Sequence, residues 1–292
     1  MCLGRRPWVI TMRALGIYRE QEFSPGKVEA DAAILDAALA ELRLNGFEIF
    51  ATEPTLLGAW SGHSVDVVLA MCQGAEALRR LSEIEQTSAV TVNSALSIRN
   101  CYRDLLAAGL ARAGVPIPAG MLVETSAPLD AASVLGLRIS MPLYVKRGDL
   151  HALGDDDVRR VESLEALRSA LIDFEHRGVS QAYVQQAVEG TVVKFYGVSG
   201  GEYFSALPQG GELPEATHSA LARAASAAAS AIGLDAWGGD AVVDSGGGFK
   251  IIDFNDWPSY SRVREHAARA IARRATWLLQ RARQNVSRAG SP

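Results

Sequence analysis

Cysteine is scarce in this sequence, and long apolar runs are absent. The three cysteines, Cys2, Cys72 and Cys101, lie far apart and form no metal-binding spacing. This pattern excludes a disulfide-stapled secreted scaffold and a cysteine zinc site. No stretch approaches the roughly 20 apolar residues that a membrane-spanning helix needs, and Arg13 interrupts the early apolar run. We therefore expect a cytoplasmic protein with reduced thiols and no membrane partner.

An excess of basic charge is also absent. The 292 residues include 29 Lys and Arg against 33 Asp and Glu, a net charge of -4. No general positive field attracts nucleic acid, so any anion must be bound by a local cluster. With 48% hydrophobic and 21% charged residues, the chain is typical of a soluble globular protein with about two domains' worth of core.

The order of sequence patterns predicts an α/β domain followed by an α+β region. Short apolar runs alternate with helical patterns over residues 1–93, which predicts a parallel sheet with crossover helices. Hairpin-like runs and helices follow over 94–284, beginning with one continuous helix over 94–114. We expect residues 285–292 to form a flexible tail.

The stretch FKIIDFNDWPSY, residues 249–260, places polar side chains in an apolar strand. Asp253 and Asn255 are two positions apart, so they project from the same face of the strand. Ile252 and Phe254 would then face the core. The stretch therefore offers two oxygen-bearing side chains to one surface.

Asp240 extends this pair into a predicted metal site. A turn at 245–248 would make a hairpin in which Asp240 lies opposite Asp253. Two carboxylates and the Asn255 amide oxygen are hard ligands that suit Mg²⁺, which shares its coordination with phosphate oxygens and water. A lone D-x-N pair more often ends an edge strand, but Asp240 across the hairpin favours the metal site.

Basic residues upstream are candidates for binding the phosphates of a nucleotide. Lys146 ends the strand PLYVKRG, where its ammonium reaches the edge of the sheet and is either solvated or bound to phosphate. Arg99 and Arg103 lie on the predicted helix over 94–114 and form either a solvent-facing stripe or a phosphate contact. The residues alone leave both alternatives open.

The order of these pieces resembles the ATP-grasp superfamily, whose members bind ATP between two α+β subdomains. The likeness covers roughly residues 90–280 and is carried by NSALSIRNCYRDLLAAGLARAGVPIPAGMLV, PLYVKRG, YVQQAVEG, VVKFYGV, GGDAVVD and IIDFNDWPS. The segment before it resembles the domain that usually precedes the grasp. The resemblance implies an α/β N-terminal domain followed by α+β ATP-grasp subdomains.

The resemblance also implies ATP and Mg²⁺ as cofactors and assigns roles by position. The implied metal ligands are Asp240, Asp253 and Asn255. Lys146 would hold the ATP phosphates, Arg103 stands where many members have a phosphate-side lysine, and Lys194 would face the reacting phosphate or the acceptor. The implied adenine and ribose contacts come from YVQQAVEG: Gln185 or Gln186, the backbone of Ala187 and Val188, and Glu189 for the ribose hydroxyls.

Two kinds of enzyme share this resemblance. Parts of the chain are similar to the inositol trisphosphate 5/6-kinases, and other members are carboxylate–amine ligases. The loop RGDLHALGDDD lacks the glycine- and serine-rich composition of most ligase lids; in it, His151 is either an anion contact or plain surface. The acids at 155–157 would repel a polyphosphorylated acceptor. We therefore favour a ligase with a small-molecule acceptor, and keep a small-molecule kinase or a nucleotide-binding protein without turnover as alternatives.

Overall fold

A parallel sheet opens the fold. The computed structural model describes residues 11–59, 64–87, 89–127, 140–150 and 154–289. The first sheet has four parallel strands in the order β2-β1-β3-β4: β1 (Arg13–Ile17), β2 (Glu48–Thr52), β3 (Val67–Ala70) and β4 (Val90–Val92). Helix α1 (Val28–Leu44) joins β1 to β2, and α2 (Ala75–Glu85) joins β3 to β4. The predicted parallel sheet with crossover helices is confirmed for the described residues.

The second sheet is antiparallel and carries the strand PLYVKRG at its centre. Its order is β5-β8-β6-β7, with β5 (Gly120–Glu124), β6 (Leu143–Arg147), β7 (Val158–Val161) and β8 (Gln181–Gln186). Helix α5 (Leu164–His176) buries Leu167, Leu171 and Phe174 against it. Strand β7 was not predicted from the sequence. It is short and contains two arginines, and it forms by pairing with β6.

The third sheet contains the predicted hairpin. Its order is β10-β9-β11-β12, all antiparallel, with β9 (Thr191–Val198), β10 (Tyr203–Pro208), β11 (Ala236–Val243) and β12 (Phe249–Asp256). The alanine-rich helix α6 (Glu215–Ile232) packs on this sheet through residues such as Leu221 and Ala225. The predicted hairpin β11–β12 and its turn are confirmed.

The prediction of one continuous helix over 94–114 is wrong. The chain forms α3 (Ala95–Asn100) and α4 (Arg103–Arg112), separated by Tyr102 in an extended conformation with φ -64 and ψ 138. The Tyr102 hydroxyl donates a hydrogen bond to the carbonyl of Gln73, which holds this residue out of a helical path. As a result, Arg103 begins a new helix.

Helix α7 (Arg264–Ala289) ends the described chain, and the flexible tail expected over 285–292 stays a prediction, since 290–292 lie outside the described residues. Residues 285–289 continue this helix, where the Ser287 hydroxyl donates to the Gln284 carbonyl and Arg288 lies in the last turn. Upstream, α7 buries small side chains in one core cluster with residues of the first sheet and β9. The division of the chain at residues 93/94 into two domains therefore stays a prediction.

The described helices include none that is both long enough and apolar enough to cross a membrane.

Candidate active site

The hairpin β11–β12 brings the three predicted metal ligands together. Asp240 lies directly opposite Asp253, and the Asn255 amide donates to the Asp253 carboxylate at 3.1 Å. On its other side, Asp240 lies opposite Lys194 of β9, whose ammonium is 3.4 Å from the carboxylate. Two carboxylates, an amide and one ammonium therefore form a single cluster.

A β-bulge changes the direction of one predicted core residue. Asp240 pairs with Asp253 and Ala241 pairs with Ile251, which leaves Ile252 as the extra residue. Ile252 was expected to face the core, but it lines the cavity between the second and third sheets. Its backbone carbonyl accepts a hydrogen bond from the Lys146 ammonium at 2.9 Å. The bulge therefore connects β12, which carries the predicted metal ligands, to the predicted phosphate-binding lysine.

The cluster fits a magnesium ion that keeps part of its coordination for other ligands. Burial raises the pKa of Asp240, with a further rise from Asp253, and Lys194 opposes the shift. A cation between the two carboxylates would relieve this repulsion. The described residues contain no group of three or more His, Cys, Asp or Glu side chains able to hold a metal. Two carboxylates and an amide suit Mg²⁺ completed by phosphate oxygens and water.

Lys146 and Arg103 meet this cluster from two other elements. Both side chains are buried, at 7% and 6% exposure. The Arg103 guanidinium lies 3.6 Å from the Asp253 carboxylate and donates to the Arg147 carbonyl at 2.9 Å. The break between α3 and α4 makes this possible, because Arg103 becomes the first residue of a helix that faces β6. Because Arg103 is buried, it is not part of a solvent-facing stripe, and the phosphate contact is the favoured alternative.

Burial lowers the pKa of Lys146 to about 8, Asp253 and Asp240 oppose the shift, and Arg103 adds to it. Desolvation of the ammonium therefore outweighs the attraction of the two carboxylates. An added anion such as a phosphate group would supply further negative charge and restore the protonated form.

A cavity of about 430 Å³ extends from Lys146 between the second and third sheets. This size lies in the range of small-molecule sites. Its walls are mostly apolar with a few polar groups, contributed by Tyr144, Lys146, Val158, Gln185, Gln186, Val188, Glu189, Gly190, Val192, Val242 and Ile252. We call it the nucleotide cavity, because mostly apolar walls with a cation at one end suit a base joined to phosphates.

Four of the residues implied to hold adenine and ribose line this cavity: Gln185, Gln186, Val188 and Glu189. Gln185 is buried at 5% exposure, and Val188 and Glu189 form part of the wall. The Gln186 side chain bonds the backbone of Ser140 at 2.8 Å through both its oxygen and its nitrogen. The Ala187 N–H donates to the Pro142 carbonyl at 3.1 Å. These last two groups are therefore engaged within the protein.

A second cavity, of about 230 Å³, lies against the metal cluster on the side of the first sheet. Lys194, Asp240, Asp253 and Asn255 line it from the third sheet. The facing residues include Arg19, Phe23, Ser24, Lys27, Asp31 and Gln73, and Asp256 adds a further carboxylate from β12. We call it the acceptor chamber. The sequence reading missed Arg19, Gln73 and Asp31, because they come from loops and a helix far along the chain from the hairpin.

One of the acidic residues expected to repel an acceptor, Asp157, is buried in ion pairs. Asp157 is 1% exposed and bonds both Arg147 and Arg177. Arg147 also bonds Asp149 at 2.7 Å, so its guanidinium is used inside the second sheet. Repulsion of an acceptor by Asp157 was therefore wrong. His151 lies outside the described residues.

Three solved structures share this fold with the chain. The D-alanine–D-alanine ligase of Bacillus anthracis complexed with ATP has a TM-score of 0.71 at 14% identity, covering 93% of this chain and 99% of the ligase. The D-alanine–D-alanine ligase of Coxiella burnetii has a TM-score of 0.72 at 14% identity, covering 96% and 99%. The VanG D-Ala:D-Ser ligase of Enterococcus faecalis has a TM-score of 0.68 at 13% identity, covering 92% and 99%.

Neither a family model nor a curated protein sequence matches the chain. The structural likeness is therefore the finding that identifies its fold. The chain has the fold of these ligases, which agrees with the fold that the resemblance to the ATP-grasp superfamily implies.

Proposed function

We propose that this protein is a Mg²⁺-dependent ATP-grasp enzyme that activates a carboxylate as an acylphosphate and joins it to an amine. The convergence of Lys146, Arg103 and the Asp240–Asp253 pair at one end of the nucleotide cavity carries this proposal. Buried cations for phosphate, hard oxygens for a metal and an apolar slot for a base thus occur together. The fold shared with ATP-dependent ligases supports the same function.

The reaction has two displacement steps. A carboxylate oxygen of the substrate attacks the γ-phosphorus of ATP, the bond to the β–γ bridging oxygen breaks, and ADP leaves. The amine nitrogen then attacks the acyl carbon and loses a proton, and inorganic phosphate leaves. Neither step needs a nucleophilic side chain, so the protein acts by positioning and by charge.

Lys146, bonded to the Ile252 carbonyl, and Arg103, beside the Asp253 carboxylate, would neutralise phosphoryl oxygens. Mg²⁺ held by Asp240, Asp253 and Asn255 supplies further charge neutralisation when bound. Lys194 is 45% exposed and lines the acceptor chamber. We assign it to the acceptor or the transferring phosphate.

The acceptor would bind in the acceptor chamber. That chamber and the nucleotide cavity meet at the hairpin, where Asp253 lines one and its bulged neighbour Ile252 lines the other. A carboxylate in the chamber would therefore lie next to the metal cluster that receives the phosphates. This arrangement separates ATP and acceptor while keeping their reacting ends together.

The test is ATP turnover with pooled cell metabolites, following ADP and inorganic phosphate separately. Ligase chemistry releases both in equal amounts, and only when metabolites are present. ADP without phosphate would mean that the phosphoryl group stays on the product, which contradicts the ligase and indicates a kinase. Nucleotide binding without either product would indicate a binding protein.

Glu189 provides a separate test of how the nucleotide cavity is used. Replacing Glu189 with Ala should weaken ATP binding about tenfold, because the ribose hydroxyls lose a charged acceptor. The 2′,3′-dideoxy analogue of ATP lacks those hydroxyls, so its affinity should be the same in both proteins. Calorimetry with both nucleotides measures the difference.

An equal loss of affinity for both nucleotides would contradict the ribose assignment. Glu202→Ala is a suitable control, since this glutamate bonds Arg273 on the far side of the third sheet.

A further inference from the structure

The open end of the metal-bearing hairpin is held by polar groups from the first sheet. Asn93 follows β4 and is fully buried. Its side-chain oxygen accepts from the N–H groups of Asp235 at 2.7 Å and Ala236 at 2.9 Å, and its nitrogen donates to the Ala236 carbonyl at 2.8 Å. The start of β11 is therefore fixed to the first sheet.

Arg19 holds the end of β12 in a similar way. One guanidinium nitrogen donates to the carbonyls of Asp256 at 3.3 Å and Trp257 at 2.9 Å. The other two nitrogens donate to the Met71 carbonyl and to the Asp31 carboxylate, each at 3.2 Å. The side chain is only 8% exposed. One buried cation thus joins the ends of β1, β3 and β12 to helix α1.

The backbone at this point is one that needs such support. Trp257 has φ 34, in the left-handed region, which is unfavourable for a residue with a side chain. Its N–H donates to the Ala236 carbonyl and its indole N–H to the Val92 carbonyl, each at 3.2 Å. Arg19 takes the remaining Trp257 backbone group, the carbonyl. Left-handed residues persist where surrounding contacts determine them, often at functional sites.

Gln73 adds a second contact at the same strand end. Its side-chain nitrogen donates to the Asp256 carboxylate at 2.8 Å. Arg19 lies near the other oxygen of that carboxylate, at 3.6 Å. Asp256 directly follows Asn255, so both contacts act on the residue next to a proposed metal ligand.

We propose that Arg19 is a positioning residue for the metal site. The proposal rests on the function above. Arg19 fixes the strand end from which Asn255 and Asp253 project, so that their oxygens stay aligned with Asp240. The groups proposed to contact the base and the phosphates lie on β6, β8, β9 and α4 and in the segment after β8, whereas Arg19 bonds Met71, Asp31, Asp256 and Trp257. Loss of Arg19 should therefore weaken metal binding and spare metal-free nucleotide binding.

The experiment compares the affinity of the full-length protein for the non-hydrolysable analogue AMP-PNP in EDTA and in Mg²⁺. The dissociation constant in EDTA divided by that in Mg²⁺ measures how much the metal strengthens nucleotide binding. Arg19→Gln should reduce this ratio roughly 10-fold or more, in the range found for residues that orient metal ligands. Its dissociation constant in EDTA should stay within about twofold.

Controls separate positioning from general loss of stability. Arg13→Gln removes an exposed ion pair from the same strand, β1, and should leave the ratio unchanged. Arg19→Lys keeps the charge but has one nitrogen where Arg19 uses three, so it loses part of these contacts and its ratio should be intermediate. If Arg19→Gln does not fold, Gln73→Met removes the other contact to Asp256 and should shift the ratio in the same direction.

An unchanged ratio in a folded Arg19→Gln or Gln73→Met protein would overturn the positioning role. A ratio of one in the wild-type protein would instead mean that the metal does not strengthen nucleotide binding. That result would contradict the proposed metal site and, with it, the positioning role of Arg19. The two failures are therefore distinguishable.

Discussion

Asp253→Asn is expected to abolish Mg²⁺-dependent ATP turnover while the protein stays folded. The substitution keeps the shape of the side chain but removes the carboxylate that faces Asp240 and Arg103. Several kcal/mol of charge stabilisation at the phosphates depend on the metal, so kcat/KM should fall by roughly 1000-fold. Steady-state kinetics at saturating Mg²⁺ measures this loss.

The matched control is Asp244→Asn, in the turn of the same hairpin. The Asp244 carboxylate accepts from the N–H groups of Gly246 and Gly248, and an asparagine oxygen can do the same. This control should keep full activity. Binding of AMP-PNP in EDTA should be similar in both variants and in wild type. Unchanged turnover in Asp253→Asn would contradict the metal assignment.

Lys146→Met should reduce kcat/KM for ATP by about 100–1000-fold, the cost of removing one preorganised charge from a buried site. Methionine has a similar length and apolar stem, so the loss reports on the ammonium. Lys250 lies on β12 and is exposed. Lys250→Met should therefore leave the kinetics unchanged, and an equal loss in both variants would contradict the role of Lys146.

The pH dependence of Lys146 gives a second readout of the same residue. Its pKa is lowered from 10.5 to about 8 by burial, so the unfolded chain holds this proton more strongly. Between about pH 8 and 10.5 the unfolded state binds more protons, and this group makes the free energy of unfolding rise with pH. Nucleotide affinity should fall over the same range as the ammonium loses its proton.

Denaturant titrations at several pH values check the sign. The rise in stability above about pH 8 should be smaller in Lys146→Met than in wild type, because other titrating groups contribute equally to both. If wild type and Lys146→Met had the same dependence of stability on pH, the lowered pKa of Lys146 would be contradicted.

The hairpin was the part of the site that the sequence predicted best. Its turn residues and the alternation of side chains are local signals, so the register that pairs Asp240 with Asp253 follows from a few neighbouring positions. The bulge at Ile252 has no such signal, since an isoleucine suits either face of a strand. Its position depends on Lys146, which lies 106 residues away.

Longer-range features of the site were not predictable from patterns. Arg19 and Asp256 are 237 residues apart, and no local spacing links them. The break before Arg103 is likewise accompanied by a hydrogen bond from Tyr102 to Gln73, which lies between β3 and α2. Buried ion pairs such as Asp157 with Arg147 were not predictable either. The fold, and not the local sequence, determines whether a charged residue contacts a ligand or another side chain.

The most direct test of the central claim is a crystal structure with AMP-PNP and Mn²⁺, whose anomalous scattering locates the metal. The account predicts a metal peak bound by oxygens of Asp240, Asp253 and Asn255 and by phosphate oxygens, at about 2.1–2.2 Å. The base should fill the nucleotide cavity beside Gln185, with the phosphates at Lys146. A nucleotide bound elsewhere, or a metal that contacts none of the three hairpin residues, would contradict it.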